Sequence, residues 1–154
     1  MVDIGLPANK YLEGVMQQAE AVCHRRGTRL TDQRRRVFRI LCVRGRPMGA
    51  YEVLDELGKE LPGARPPTVY RALAFLQEQG LVHRLESISA YVGCLHPDHH
   101  HAVQFLICRD CGAVQELTDA EVEHTLGRIA GRCRFEADSM VVEVTGRCAG
   151  CVRS

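Results

Sequence analysis

The sequence predicts an α+β protein with two parts. Residues 1–86 read as a winged helix-turn-helix, and residues 96–154 read as a small α/β unit with a three-stranded sheet. Three observations predict this. The first 80 residues carry apolar positions at helical spacing, interrupted by Gly and Pro. Two short extended runs follow and read as a hairpin. The remainder holds three short strand-like runs around one helical stretch. At 154 residues the chain has room for one ordinary domain or two small ones. Its 45% hydrophobic and 25% charged residues suit a soluble globular protein. With no Trp and only 5% aromatics, its cores must be mostly aliphatic.

The elements follow in order. Leu12, Val15, Met16, Ala19, Val22 and Cys23 mark a first helix, with Gly27 as its stop. Thr31 can cap a second helix carrying Val37, Phe38 and Leu41. Gly45, Pro47 and Gly49 break the chain before a third helix, with Ala50, Val53, Leu54, Leu57 and Leu61 on one face. Pro67 can occupy the first position of a fourth helix, where its missing N–H costs nothing. Val69, Ala72, Leu73 and Leu76 form that helix's buried stripe, and Gly80 ends it. Residues 81–86 and 90–94 make the hairpin, turning at residues 87–89. In the back part, Val103, Phe105 and Ile107 lie on one face of a strand, and residues 113–117 form a second. Thr118 and Glu121 spell a capping box that opens a helix through about residue 130. Met140, Val142 and Val144 give the third strand.

Charge and cysteine usage narrow the function. Residues 1–86 hold 14 Lys and Arg against 10 Asp and Glu, whereas residues 87–154 hold 6 against 9. A basic front joined to an acidic back suits a nucleic-acid-binding half coupled to something else. No apolar run approaches the roughly 20 residues of a membrane span, and residues 1–10 lack the layout of a signal peptide. A cytoplasmic protein is expected, with no membrane association. In that reducing compartment eight cysteines suggest metal or redox chemistry rather than disulfides.

Cys108-x-x-Cys111-Gly112 and Cys148-x-x-Cys151 supply four thiolates, the donor set of a closed structural zinc site. The 36 residues between the pairs must fold as a unit tied back to its own start. A thioredoxin-like redox motif would need one such pair at the start of a helix; here there are two, each at a strand end. Cys23, Cys42 and Cys133 read as small core residues. His83, Cys94, Glu116 and the cluster His96, His99, His100 and His101 form a second, looser constellation. Imidazole, thiolate and carboxylate together can hold a metal, and the thiolate favours zinc over iron or manganese. Taken singly, each has an ordinary structural explanation.

The fourth helix turns Thr68, Arg71, Phe75 and Glu78 away from its apolar stripe, with Tyr70 at the flank. Arg71 can fork onto a guanine edge in a major groove, and Tyr70 and Thr68 can reach phosphates or a thymine methyl. Glu78 would repel phosphate, so contact should use the helix's N-terminal half. Tyr51 is placed for a backbone contact, and Arg34, Arg35 and Arg36 add positive charge.

The run from Pro67 to Leu73, residues 30–34 upstream and the two C-x-x-C pairs downstream together resemble the ferric uptake regulator superfamily. Order and spacing agree over roughly residues 10–152, most like the zinc uptake regulator branch. The resemblance implies a homodimer, with the winged helix at residues 1–86, a hinge at 87–95 and a dimerisation domain at 96–154. It implies two zinc ions per chain. Cys108, Cys111, Cys148 and Cys151 would hold a structural one, and His83, Cys94, His101 and Glu116 a regulatory one. The register picks His101, leaving His96, His99 and His100 as substitutes. It further implies zinc-dependent repression of zinc-uptake genes at an AT-rich, near-palindromic operator, with Arg71, Tyr70, Thr68, Tyr51 and Arg34 on the double-stranded DNA. Val103 and Phe105 stand where iron-, manganese- and peroxide-sensing relatives usually place a His-x-His pair. Two alternatives stay open: the same class of regulator answering to iron, manganese or nickel, and a zinc-dependent enzyme. Against the enzyme, no H-E-x-x-H motif is present, and no small-molecule substrate is expected.

Overall fold

The computed structural model describes residues 9–97 and 102–153. The chain divides into two compact units, Met1–His99 and His100–Ser154. The front unit runs α1 (Asn9–Arg25), α2 (Asp32–Arg44), α3 (Ala50–Glu60) and α4 (Pro66–Glu78), then a hairpin of β1 (Val82–Leu85) and β2 (Ala90–Gly93). A 3-10 turn at Glu86–Ile88 and a left-handed Ser89 at φ 49° join the two strands.

Helical periodicity becomes packing here. Val37, Phe38 and Leu41 of α2, Val53 and Leu57 of α3, and Val69, Leu73 and Leu76 of α4 are all buried in one core. Arg65 caps α4, and Pro66 and Pro67 occupy its first turn, where no backbone N–H is needed. The helix therefore starts one residue earlier than Pro67 alone suggests. Thr31 sits at the N-cap of α2, but its side chain makes no capping bond; its carbonyl accepts from the Arg35 N–H at 2.8 Å. Met48 trades both backbone hydrogen bonds with Tyr91, at 2.9 and 2.8 Å, tying the wing to the entrance of α3. Phe75, read as outward-facing, is half-buried and packs against the core.

The back unit holds a three-stranded sheet in the order β4-β3-β5: β3 is Val103–Cys108, β4 is Val114–Leu117 and β5 is Val141–Gly146. β3 pairs antiparallel with β4 and parallel with β5. A parallel neighbour needs a crossover, which α5 (Ala120–Arg132) supplies. The N-cap of α5 is Asp119 rather than Thr118. Its carboxylate accepts from the N–H groups of Glu121 and Val122 at 2.8 and 3.2 Å. The buried Gln104 side chain in turn accepts from the Asp119 N–H at 2.8 Å, fixing where the helix begins. A short α6 (Ala149–Val152) closes the unit. Cys23 and Cys42 are buried as expected, whereas Cys133 is exposed where α5 ends.

Apolar surface remains on this unit. No residue of α5 is buried. Leu106 and Val144, partners across the β3–β5 ladder, are 40% and 51% exposed, and Phe135 is 67% exposed. No helix among the described residues is long and apolar enough to cross a membrane.

Candidate metal centre and nucleic-acid interface

The β3–β5 register sets Cys108 opposite Gly146. The first cysteine therefore ends β3 just where the second pair begins two residues beyond β5. The first pair sits in a tight turn: the Gly112 N–H donates to the Cys108 carbonyl at 3.0 Å, with Gly112 at φ +72°. Only a residue without Cβ takes that conformation freely. In the second pair Cys148 caps α6, and the N–H of Cys151 donates to the Cys148 carbonyl at 3.0 Å. The four sulfurs lie within 4.8 Å of one another, and Cys111 Sγ is 3.7 Å from Cys148 Sγ. Tetrahedral zinc with Zn–S bonds near 2.3 Å needs sulfurs about 3.8 Å apart. The donor set and its spacing thus fit one zinc ion, with four protein ligands and no open position.

The electrostatics of the thiols agree. The N–H groups of Cys111 and Cys148 point at Cys108 and hold its thiol down at about 6. Cys151, crowded first by Cys148 and then by Cys111 and Cys108, is pushed up to about 12. Cys111 also ends up raised: the Ala113 N–H lowers it, but the sulfurs of Cys108 and Cys148 outweigh that. Four thiolates so close repel one another unless a cation sits among them. Two linking contacts carried no clear sequence signal. Arg109 N–H donates to the Gly146 carbonyl at 2.9 Å, and the Arg147 guanidinium bonds the Asp110 carboxylate.

The second ligand set is placed in pieces. His83 lies in β1 opposite Val92, and the Cys94 N–H donates to the Leu81 carbonyl at 2.8 Å. Alternation along the two strands puts His83 and Cys94 on the same face of the hairpin as diagonal neighbours. Gly93 belongs to the opposite face, which lies on α2: a Cβ there would meet Cys42 Sγ at 2.8 Å. Glu116 lies in β4 of the back unit, half-buried. His99, His100 and the expected ligand His101 fall outside the described residues.

On the candidate DNA face, Arg71 is exposed and has no ion-pair partner among the described residues. Tyr70 is 46% exposed, Thr68 half-buried, and Tyr51, in the first turn of α3, 67% exposed. Arg34 is more constrained than its sequence context suggests. Its guanidinium lies 3.5 Å from the centre of the Phe75 ring and donates to the Arg29 carbonyl at 2.8 Å. Neighbouring arginines are partly neutralised, Arg35 by Glu20 and Arg36 by Glu60. The run of positive charge along α2 is therefore smaller than residue counting implies.

A winged helix followed by a small sheet with four clustered cysteines at its end defines a class, and a family model matches it. The ferric uptake regulator family model matches residues 25–145, and the chain belongs to that family. Among its relatives, the zinc uptake regulation protein of Escherichia coli (strain K12) is 42% identical over 139 residues, covering 90% of this chain and 81% of that protein. A solved zinc uptake regulator complexed with zinc and DNA is 41% identical, with a TM-score of 0.79, covering 92% of this chain and 95% of that one. The holo form of XcZur is 42% identical, with a TM-score of 0.75, covering 96% and 100%.

Proposed function

We propose that this chain is a zinc-responsive, dimeric transcriptional repressor that binds operator DNA when zinc-loaded and controls zinc-uptake genes. The observation that carries the reading is its likeness, over 92% of its length, to the regulator solved with zinc and DNA. Members of the family are transcriptional regulators, so the enzyme alternative falls away. Protein and operator would meet in the cytoplasm.

Two zinc sites divide the work. The four cysteines hold the structural ion, which when bound supplies a fixed tetrahedral link between β3 and the end of the chain. His83, Cys94, Glu116 and His101 are the regulatory ligands in this reading. The shared face of His83 and Cys94 on the wing supports it, because two ligands there need no rearrangement of the hairpin. A set drawn from both units closes in only one mutual orientation of them, so metal binding favours that orientation. We place the pivot beyond β2, at the C-terminal end of residues 87–95, because the ladder holds residues 90–93 within the wing.

In the DNA-competent dimer, Arg71 of each protomer reads a base edge in the major groove, with Tyr70, Thr68 and Tyr51 beside it. Arg34 lies near the phosphates. Two recognition helices related by a two-fold axis call for a near-palindromic operator, here AT-rich. The exposed apolar residues of β3, β5 and α5 support self-association of the back unit.

The test is DNA binding by fluorescence anisotropy across a series of buffered free-zinc concentrations, repeated with iron, manganese and nickel. Wild type should tighten on its operator by tenfold or more as zinc rises, on the order of a typical allosteric coupling. Cys94→Ala and His83→Ala should lose that response while keeping their Cys₄ zinc. Variants that respond like wild type would remove these two residues from the sensor. A stronger response to another metal would reassign the signal.

A further inference from the structure

We propose that Arg147 is a positioning residue for the four-cysteine site, and that with Asp110 it acts as a clamp that slows zinc release. The proposal rests on the reading of these cysteines as a zinc site. Three observations carry it.

The first is connectivity. Asp110 lies inside the first cysteine turn and Arg147 directly precedes Cys148 of the second. The Arg147 Nε bonds the Asp110 carboxylate, while its terminal nitrogen bonds the Cys151 carbonyl. One planar group therefore spans both turns. An ammonium on a flexible stem cannot match that two-directional fork.

The second is what the contact holds. α6 has only four residues, and its last carbonyls have no helical partner. Arg147 satisfies one of them at the ligand Cys151 itself, fixing the backbone that aims that sulfur. A second link crosses nearby, where the Cys148 N–H donates to Cys108 Sγ at 3.3 Å.

The third is charge. Four thiolates around a dication carry a net charge of −2, and the guanidinium bonded to the Cys151 carbonyl brings a positive charge to the second turn. Asp110 keeps that guanidinium aimed across the gap. Both side chains are about 40% exposed, at 39% and 40%, and an exposed pair contributes little to folding. The clamp should therefore appear in the metal's residence time far more than in the stability of the zinc-loaded chain. Partners outside the ligand shell commonly alter metal affinity 10- to 100-fold.

The experiment follows zinc leaving the full-length, zinc-loaded dimer into excess chelator, with a chromogenic indicator. Thermal melting of the loaded protein is measured in parallel. Arg147→Ala should release its structural zinc about 10-fold faster or more, with its melting temperature within a few degrees of wild type. Arg147→Lys should remain fast, because it keeps the charge without the fork. Asp110→Asn should be intermediate. Asp110→Asn with Arg147→Ala should be no faster than Arg147→Ala alone, because the two act as one device. Release from Arg147→Ala or Asp110→Asn at the wild-type rate would overturn the clamp, and so would full rescue by lysine. A wild-type protein holding no slowly released zinc would instead sink the zinc reading of the cysteines.

Discussion

Four thiols within 4.8 Å of one another cannot all be anions at neutral pH without a cation among them. The structure divides them. Cys108, held at about 6 by backbone N–H groups, is already a thiolate at about pH 7.5; Cys111, raised above its ordinary value, and Cys151, near 12, are protonated. Zinc loading at that pH should release at least two protons from the cluster, where Cys111 and Cys151 are the thiols held up. Calorimetry of zinc binding in buffers of different ionisation enthalpy measures the number. Release of fewer than two would contradict the assignment. Lower pH should weaken binding, because protons compete for the same sulfurs. The four-cysteine cluster was legible at this scale because two C-x-x-C pairs are a local pattern with few competing explanations. Arg147 was not, because an arginine beside a cysteine carries no signal until the fold sets Asp110 across from it. Arg34 shows the reverse: its charge was visible, but its stacking on Phe75 depends on how α2 meets α4.

Elements were legible where periodicity was strong. α2, α3 and α4 lie over the apolar stripes that mark them, and the wing forms where two extended runs flank a turn. Termini were less so. The T-x-x-E pattern points to Thr118, yet Asp119 takes the cap because an adjacent carboxylate competes and Gln104 holds its backbone. α6 was missed: four residues are too few to show a helical period. The contact between α2 and the wing is likewise invisible in sequence. Gly93 approaches Cys42 so closely that an added Cβ would lie 2.8 Å from Sγ and 3.1 Å from the backbone nitrogen. Gly93→Ala should therefore destabilise the front unit by about 1–3 kcal/mol, as overpacking does. Urea denaturation of the full chain should show this as a lower midpoint. Adding Cys42→Ala should recover part of the loss, because it removes the sulfur but leaves the backbone contact. An unchanged midpoint for Gly93→Ala would mean that α2 shifts at no cost.

For the whole molecule, composition and spacing suggest two parts, and the chain divides into compact units at His99 and His100. What joins the units in function was less readable, because the proposed ligand set is scattered over distant positions. With zinc in the four-cysteine site, the back unit should depend on that metal more than a domain of ordinary core would, since no residue of α5 is buried and much of β5 is exposed. Cys148→Ser should leave the front unit folded, but the back unit should lose order and the dimer dissociate. Sedimentation velocity with and without zinc, beside far-ultraviolet circular dichroism, checks both outcomes. A Cys148→Ser dimer as stable as wild type would show that apolar contacts alone suffice.

The pairing of β3 directly with β5 has one more consequence. The two strands are hydrogen-bonded from Val103–Val141 to Cys108–Gly146, and the cysteine link lies just past the end of that ladder. The polypeptide between them, through β4 and α5, is a detour rather than the only connection. A protease cut in the exposed stretch at residues 133–139 would therefore give two fragments that still travel together while metal is present. A chelator would remove one of their ties. With metal among the four cysteines the back unit would be, in topological terms, a closed ring with a reversible closing bond.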